Sequence, residues 1–215
     1  MTTSTLRSTF IVSVGALLAG GASAAQIFTQ GELAGILGAN LTMEDFEGNG
    51  LLGSGQITDT FLNSTSTYGG YGPGLVQAGV DYSAGSLFWN DNGYYGLNTR
   101  TLGDASGWRG LETYVTYTSP VTAFGFDMQG YSGFSMSGTV SVYDTSNNLI
   151  TQVSVNGGFF GWSDLGGIGK VVVSADQDGY IMLDNHGYGA VPEPASLAAL
   201  GLGAAAMIRR RRNQK

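Results

Sequence analysis

A segment near the middle of the chain combines aromatic and polar side chains that could bind a sugar. Within the sequence FWNDNGYYG it contains Trp89, Asn90, Asp91, Tyr94 and Tyr95. A pyranose ring presents an apolar face to aromatic plates and a hydroxyl rim to polar side chains, so sugar recognition uses this combination. The Asp-Asn-Gly run predicts a loop or hairpin tip, where binding residues tend to lie. The alternative is that the aromatic rings pack in the core.

Carboxylates at the two ends of the central region could bind calcium. The sequence MEDFEG contains Asp45 and Glu47, and the sequence YIMLDN contains Asp184. Ca²⁺ takes about six to eight hard oxygen ligands and accepts carboxylates readily. Asp45 and Glu47 are two residues apart and share one face of a strand, whereas Glu44 points to the other face. The alternative is an ordinary set of edge and turn carboxylates.

This arrangement is similar to that of carbohydrate-binding sandwich modules. In those modules an acidic residue near the first strand and an aspartate on the last strand share a structural calcium. The resemblance implies that Asp45 or Glu47 would hold the ion together with Asp184.

Catalytic constellations have little support in the sequence. The chain has one histidine, His186, and no cysteine, so the usual nucleophile and base pairs are missing. We expect His186 to be a solvated linker residue after the last strand. The run from Glu44 to Glu47 lacks the E-x-D-x-x-E spacing of sandwich glycosidases. A polysaccharide hydrolase or lyase needs only two suitably placed carboxylates and stays an alternative.

The N-terminus has the pattern of a secretory leader. Arg7 precedes an apolar run over residues 10–18, and the small residues 22–24 fit a cleavage site. The apolar run is too short to span a membrane permanently. Residues 1–25 are therefore predicted to be a signal peptide handled by the Sec export machinery.

The C-terminus combines a proline-rich turn, an apolar run and a basic cluster. The prolines separate the preceding domain from any following helix. Ala195–Ile208 has 14 residues and would be about 21 Å long as a helix. A bilayer core is about 30 Å thick, so this segment spans it only marginally, with the basic cluster at the cytoplasmic headgroups.

These C-terminal features resemble the PEP-CTERM sorting signal of Gram-negative bacteria. The residues that carry the resemblance are Val191, Pro192, Glu193 and Pro194, followed by Arg209, Arg210, Arg211 and Arg212. In that family an exosortase, an integral-membrane cysteine protease, cleaves near the Pro-Glu-Pro motif. The resemblance implies an inner-membrane-anchored intermediate, followed by release to the cell surface or the extracellular matrix. Its bearers are typical of bacteria that make extracellular polysaccharide. An ordinary uncleaved membrane anchor is the alternative.

The charge distribution excludes one class of partner. The chain has 16 acidic and 9 basic residues, and five of the basic residues lie in the last seven positions. The body keeps only Arg100, Arg109 and Lys170 as cations. Because nucleic-acid binding needs clustered Lys and Arg to displace phosphate counterions, we expect no nucleic-acid partner. An acidic surface favours divalent cations instead.

The pattern of the body, residues 26–190, predicts an all-β fold. The chain has 36 glycines, and short period-two segments alternate with Gly, Asn and Asp turns. The clearest predicted elements are a helix at Gln30–Leu37, strands at Val121–Met128, Lys170–Ala175 and Tyr180–Asn185, and a hairpin that joins Thr139–Tyr143 to Leu149–Val155. We predict an antiparallel, two-sheet, jelly-roll-like sandwich, flanked by an N-terminal signal helix and a short C-terminal transmembrane helix. The transmembrane helix is part of the predicted sorting signal, which covers residues 191–215.

Together these features predict a non-enzymatic exported envelope or matrix protein that an exosortase sorts. We expect association with exopolysaccharide or biofilm, through weak, calcium-supported glycan contact. A purely structural matrix or coat protein is the first alternative, and a polysaccharide hydrolase or lyase is the second.

Overall fold

The computed structural model describes residues 24–47, 57–68, 72–90, 99–104, 111–130, 136–176 and 180–191. Within these ranges the chain forms ten strands and two short helices. The strands are β1 (Ala25–Ile27), β2 (Thr42–Glu44), β3 (Ile57–Leu62), β4 (Val80–Asn90), β5 (Thr101–Asp104), β6 (Glu112–Gln129), β7 (Ser137–Asp144), β8 (Leu149–Asn156), β9 (Gly158–Ala175) and β10 (Met182–Gly189). An α-helix, α1 (Gln30–Leu37), and a 3-10 helix (Gly38–Asn40) lie between β1 and β2.

The strands form one antiparallel sheet. The order of its hydrogen-bonded strands is β2-β10-β5-β4-β6-β9-β7-β8. In addition, β1 pairs with β9, β3 pairs with β4, and β10 pairs with β6. The prediction of an antiparallel all-β fold is confirmed. The finer prediction of two separate sheets is not, because the ladder of hydrogen bonds continues through all ten described strands.

The predicted signal helix and the predicted C-terminal transmembrane helix lie outside the described residues. In the part of the chain that is described, no helix has the length and apolar character needed to cross a membrane. The boundaries at residues 25 and 190 therefore stay predictions.

Two long strands, β6 and β9, form the central ladder of the sheet. The first half of β6 pairs with the second half of β9, with Glu112 opposite Ser174, and with β4 along its other edge. The second half of β6 pairs with the first half of β9, with Met128 opposite Gly158, and with β10 along its other edge. The change of partner follows Thr116, where β6 shifts register against β9 as at a β-bulge.

Local capping explains the short helix. The Thr29 hydroxyl accepts a hydrogen bond from the backbone N–H of Glu32 at 3.1 Å, and the helix ends at Gly38 with a positive φ of 55°. Leu33 and Leu37 lie one turn apart and are fully buried, so they attach the helix to the sheet. The predicted helix is confirmed at these residues.

The predicted hairpin is also confirmed, and its turn is held by one carboxylate. Asp144 Oδ1 accepts hydrogen bonds from the backbone N–H groups of Ser146 and Asn148, each at 2.8 Å, and Oδ2 accepts from the Asn148 side chain at 2.8 Å. Hydrogen bonds from Asn148 lower the pKa of Asp144. The larger effect comes from the Asn148 side chain and the next from its backbone N–H group. Asn147 adopts the left-handed conformation with φ of 63°.

The aromatic core contains a buried histidine, which corrects the sequence interpretation. His186 was expected to be solvated, but it lies inside β10 with 0% of its surface exposed. The expectation was wrong because β10 continues to Gly189, paired with β2 and β6. The His186 Nδ1 atom lies 2.7 Å from the Tyr82 hydroxyl, and Nε2 lies 3.0 Å from the Tyr117 hydroxyl. A neutral imidazole has one donor and one acceptor nitrogen, so one tyrosine donates to the ring and the other accepts from it.

Gly138 in β7 allows a close approach that a larger residue would block. A β-carbon at this position would collide with the carbonyl oxygen of Ser174 and lie 2.8 Å from Ile181 Cδ1. We expect Gly138→Ala to lower the free energy of unfolding by about 1–3 kcal/mol through overpacking. Guanidinium unfolding curves measure this.

Gly35 in α1 provides the matched control for that substitution. A β-carbon there would meet no heavy atom within 4 Å. Gly35→Ala should leave stability unchanged or raise it by up to about 1 kcal/mol, because alanine favours the helix. A Gly138→Ala protein as stable as the wild type would contradict the packing of β7 against β9.

The buried histidine predicts acid-sensitive stability. Burial lowers the pKa of His186 from 6.5 to about 3. Between these values the unfolded chain binds a proton that the folded chain does not, so this contribution to stability falls as the pH is lowered through the window. His186→Gln removes the titration. The stability difference between wild type and variant should therefore shrink on acidification by up to about 1.4 kcal/mol per pH unit.

Two other buried groups act in the opposite direction but cancel in this comparison. Burial raises the pKa of both Glu44 and Asp184, so the folded state gains stability from them as the pH falls. Both groups are present in wild type and variant alike. His186 is the single histidine of the chain, so its ring resonances can be followed by NMR even if the variant does not fold. A titration near its ordinary pKa, or a stability difference that is constant with pH, would contradict the prediction.

Candidate functional site

The predicted sugar-binding segment is only partly described, and its tryptophan is in the core. Trp89 has 0% of its surface exposed, and its ring meets Phe46 edge-on at a centroid distance of 6.0 Å. β4 extends to Asn90, so Trp89 lies inside a strand between Ile57 and Leu102 and not in a loop. Its assignment as a sugar-binding plate was therefore wrong.

The remaining residues of that segment are untested. The backbone of Asn90 ends β4. Its side chain, and all of Asp91, Tyr94 and Tyr95, lie outside the described residues. Their part in sugar binding stays a prediction.

The first part of the predicted calcium site lies just after β2, which pairs with β10. Asp45 is exposed, and its Oδ1 accepts a hydrogen bond from the backbone N–H of Glu47 at 3.0 Å, so it closes a local turn. Glu47 Oε1 accepts from the Thr99 hydroxyl and from the Arg100 backbone N–H, both at 2.7 Å. Arg100 Nη1 also donates to the Glu47 carbonyl oxygen at 3.0 Å. Glu47 is therefore already hydrogen-bonded to the segment that precedes β5.

The third predicted ligand, Asp184, is buried in β10 next to another carboxylate. Its Oδ2 accepts from Gln129 Nε2 at 2.8 Å, and its Oδ1 accepts from the backbone N–H of Asn185 at 2.7 Å. Asp127 of β6 lies directly opposite in the ladder and accepts from Asn185 Nδ2 at 3.0 Å. The pKa of Asp184 is raised to about 6, chiefly by burial and to a smaller extent by the negative charges of Asp127 and Glu47, against the effect of its hydrogen bonds.

The structure therefore brings Glu47 and Asp184 within electrostatic reach of each other and adds Asp127, which the sequence interpretation missed. Asp127 could be found only by knowing that β6 pairs with β10. In the described ranges no group of three or more His, Cys, Asp or Glu side chains is placed to hold a metal ion. Calcium binding by Asp45, Glu47 and Asp184 stays a prediction.

A second missed carboxylate, Glu44, is a structural group. It is 3% exposed, and it accepts hydrogen bonds from the backbone N–H groups of Gln77 at 2.5 Å and Phe46 at 2.8 Å. Burial raises its pKa, against the effect of these two hydrogen bonds. Glu44 thus connects the end of β2 to the segment before β4.

A notch of about 300 Å³ opens on the sheet where the β7–β8 turn approaches β9. We call it the Gly169 notch. Its lining includes Thr116, Thr118, Pro120, Thr145, Asn147 and Lys170. The Lys170 ammonium lies 4.6 Å from the centroid of the Tyr143 ring, within the range of a cation–π contact. The notch therefore combines a cation with hydroxyl and amide groups.

The end of the described chain is tied to the sheet. Asn40 Nδ2 donates to the Ala190 carbonyl oxygen at 2.9 Å, and the Val191 backbone N–H donates to Thr122 Oγ1 at 2.6 Å. The Val191 side chain packs against the small cluster under α1, which includes Leu37. Pro192, Glu193, Pro194 and Arg209 to Arg212 lie outside the described residues.

The first and last strands of the sheet, β1 and β10, meet a common row of residues. Ala25 of β1 lies opposite Ser163 of β9, Ser163 lies opposite Ala123 of β6, and Ala123 lies opposite Gly189 of β10. Because successive strands are antiparallel, the start of β1 and the end of β10 share this row. The first residue of β1 and the last residue of β10 therefore lie on one row of the sheet.

Comparison with known proteins identifies the C-terminal segment. Residues 190–212 match the family model of the PEP-CTERM protein-sorting motif. No curated protein matches the chain. A solved structure that it matches is the solution structure of CtCBM11, with 12% identity, a TM-score of 0.32, and coverage of 72% of this chain and 97% of that chain. At this TM-score the likeness says nothing about what the chain binds. The C-terminal match identifies the chain as an exported protein that bears a PEP-CTERM sorting motif and is a substrate of an exosortase.

Proposed function

We propose that this protein is a non-enzymatic β-sheet domain that acts at the cell surface or in the extracellular matrix, where it contacts polysaccharide. It is exported by the Sec machinery, held at the inner membrane by its C-terminal segment and released by exosortase cleavage. The observation that carries the proposal is the position of the sorting motif. The motif begins at residue 190, directly after the last strand ends at Gly189.

This position supports the sheet as the cargo of the sorting reaction. Cleavage near Pro192–Pro194 would leave every described strand in the released product. Ala190 and Val191 are held by Asn40 and Thr122, so the new C-terminus would stay anchored to the sheet. The sorting signal can thus be removed without loss of a core contact among the described residues.

The engagement of the titratable side chains supports a binding or structural role over hydrolysis. Three described groups of the kind that serve as general acids and bases are committed to structural hydrogen bonds. His186 is held by two tyrosines, Glu44 by two backbone N–H groups, and Asp144 by its own turn. A glycosidase needs a pair of carboxylates free to reach the scissile bond.

Processing is tested by replacing both prolines of the sorting motif. In a host with an exosortase, the wild-type protein should be recovered outside the cytosol without Arg209–Arg212, as mass spectrometry of its C-terminus would show. The double variant Pro192→Ala, Pro194→Ala should accumulate unprocessed in the membrane fraction. Pro120→Ala, a proline outside the motif, is the matched control and should be processed normally. Normal processing of the double variant, or wild-type protein that stays in the cytosol with its arginines intact, would overturn the proposal.

Calcium-supported polysaccharide contact is tested by gel retardation of the processed protein. A divalent cation would relieve the repulsion among Glu47, Asp127 and Asp184, so we expect calcium to increase retardation by polysaccharide and a chelator to reduce it. Asp184→Asn should lose the calcium effect. Asp164→Asn should keep it, because Asp164 Oδ1 instead accepts from the Gly166 backbone N–H within its own strand.

Each alternative function has its own outcome in that experiment. Release of reducing ends from the polysaccharide would identify a hydrolase, and release of unsaturated ends would identify a lyase. Self-assembly of the processed protein without retardation by any acidic or neutral polysaccharide would identify a structural coat protein. Retardation that is the same with calcium and with chelator would remove calcium from the proposal.

A further inference from the structure

The Gly169 notch arises because both neighbours of β9 shift register at the same residue. On one side β6 pairs Thr116 with Lys170 and resumes pairing only at Ile168. On the other side β7 pairs Tyr143 with Lys170 and also resumes at Ile168. Gly169 thus has no partner in either ladder. Such irregularities leave backbone unpaired and re-aim nearby side chains, and they are common beside binding sites.

Two glycines keep the walls of the notch close together. A β-carbon on Gly169 would lie 2.9 Å from the Asp144 carbonyl oxygen and from Thr145 Cα, so only glycine lets the β7–β8 turn approach here. Gly167 has a φ of 93°, which favours glycine, and a β-carbon there would lie 3.4 Å from Pro120 Cβ. The chain therefore fixes the shape of the notch through its backbone.

Lys170 is a cation that lines the notch beside one carboxylate, Asp144. Among the described residues it forms no ion pair, and the one ion pair found there joins Arg100 to Glu47. The nearest acid in the notch, Asp144, directs its carboxylate to the backbone and side chain of its own turn. The chain as a whole has a net charge of −7. A lysine that lines a notch and has no ion pair among the described residues can form one with an anionic ligand.

The rest of the lining favours a hydroxylated ligand. The Thr116, Thr118 and Thr145 hydroxyls and the Asn147 amide can both donate and accept hydrogen bonds, as sugar hydroxyls do. Pro120 adds an apolar contact of the kind that the face of a pyranose ring accepts. The volume of about 300 Å³ lies at the small end of the range for ligand pockets, roughly 300–1,000 Å³, which suits a single sugar residue.

We propose that the Gly169 notch binds a sugar residue that carries a carboxylate, with Lys170 as the counter-ion and the threonine hydroxyls as hydrogen-bond partners. The inference rests on the proposed polysaccharide partner and names its chemical class as an acidic, uronate-containing polymer. It places the contact on β6, β7 and β9 and on the turn that joins β7 to β8.

The test compares three probes on the full chain and on Lys170 variants. Sodium glucuronate, glucose and inorganic phosphate are titrated while backbone amide NMR shifts are recorded. Glucuronate should shift the amides of residues 116–118, 145–147 and 169–170 in a saturable way. Lys170→Gln should weaken this binding by about tenfold or more, since it removes a charge-assisted hydrogen bond, and Lys170→Arg should retain most of it.

Two further variants keep the test independent of folding and of net charge. Arg100→Gln removes the other described cation and should leave glucuronate binding unchanged. Thr118→Val removes one exposed hydroxyl and should weaken binding even if Lys170→Gln does not fold. The melting temperature of each variant identifies any loss of structure.

Four outcomes would overturn the inference. They are equal binding of glucose, tighter binding of phosphate than of glucuronate, unchanged binding in Lys170→Gln, and no saturable shift at these residues. Failure of the inference about the notch can be distinguished from failure of the proposed function. Polysaccharide retardation that survives in Lys170→Gln would reject the notch alone, whereas glucuronate binding by a protein that is never exported would reject the proposed function alone.

Discussion

The antiparallel ladder between β6 and β9 is the interaction on which the other strand pairings depend. β4 and β10 pair with different halves of β6, while β7 and β1 pair with different halves of β9. Among the described strands no other pairing joins the group around β6 to the group around β9, so loss of this ladder would divide the sheet and leave its backbone N–H and C=O groups unpaired along the break. One of the two irregular points of the ladder, at Gly169, is also where the notch forms. Regular pairing thus builds the fold, and its local interruption provides room for a ligand.

The last strand, β10, contains several buried ionisable groups, and burial shifts the pKa values of its acids and of its histidine in opposite directions. Burial raises the pKa of Asp184 to about 6 and lowers the pKa of His186 to about 3, because it disfavours the charged form of an acid and of a base alike. Burial also raises the pKa of Tyr188, whose hydroxyl donates to the Ala78 carbonyl oxygen at 2.8 Å. The protonation of Asp184 and of His186 is thus linked to folding. The contribution of β10 to stability therefore depends on pH.

Features encoded in a few neighbouring residues could be predicted from the sequence. The α1 helix follows from Thr29 and its capping interaction, the β7–β8 turn follows from Asp144–Asn148, and the sorting motif is contiguous. Trp89 and His186 were misplaced because the ends of β4 and β10 are set by partners that lie far away in the sequence. Neither the continuity of the sheet nor the register shift at Gly169 leaves a local signal in the sequence. The alternation of apolar and polar residues predicts a strand. It does not predict the residue at which the neighbouring strands stop pairing with it.

The start of β1 and the end of β10 lie close enough to be joined. They are the two ends of a row formed by Ala25, Ser163, Ala123 and Gly189. The two ends of the row are three strand spacings apart, or about 14 Å at roughly 4.8 Å per spacing. An extended linker of about five residues would bridge that gap at roughly 3.3 Å per residue. The domain is therefore suited to circular permutation, in which such a linker joins the old termini. The exposed turn at Asn147 is a suitable position for the new termini.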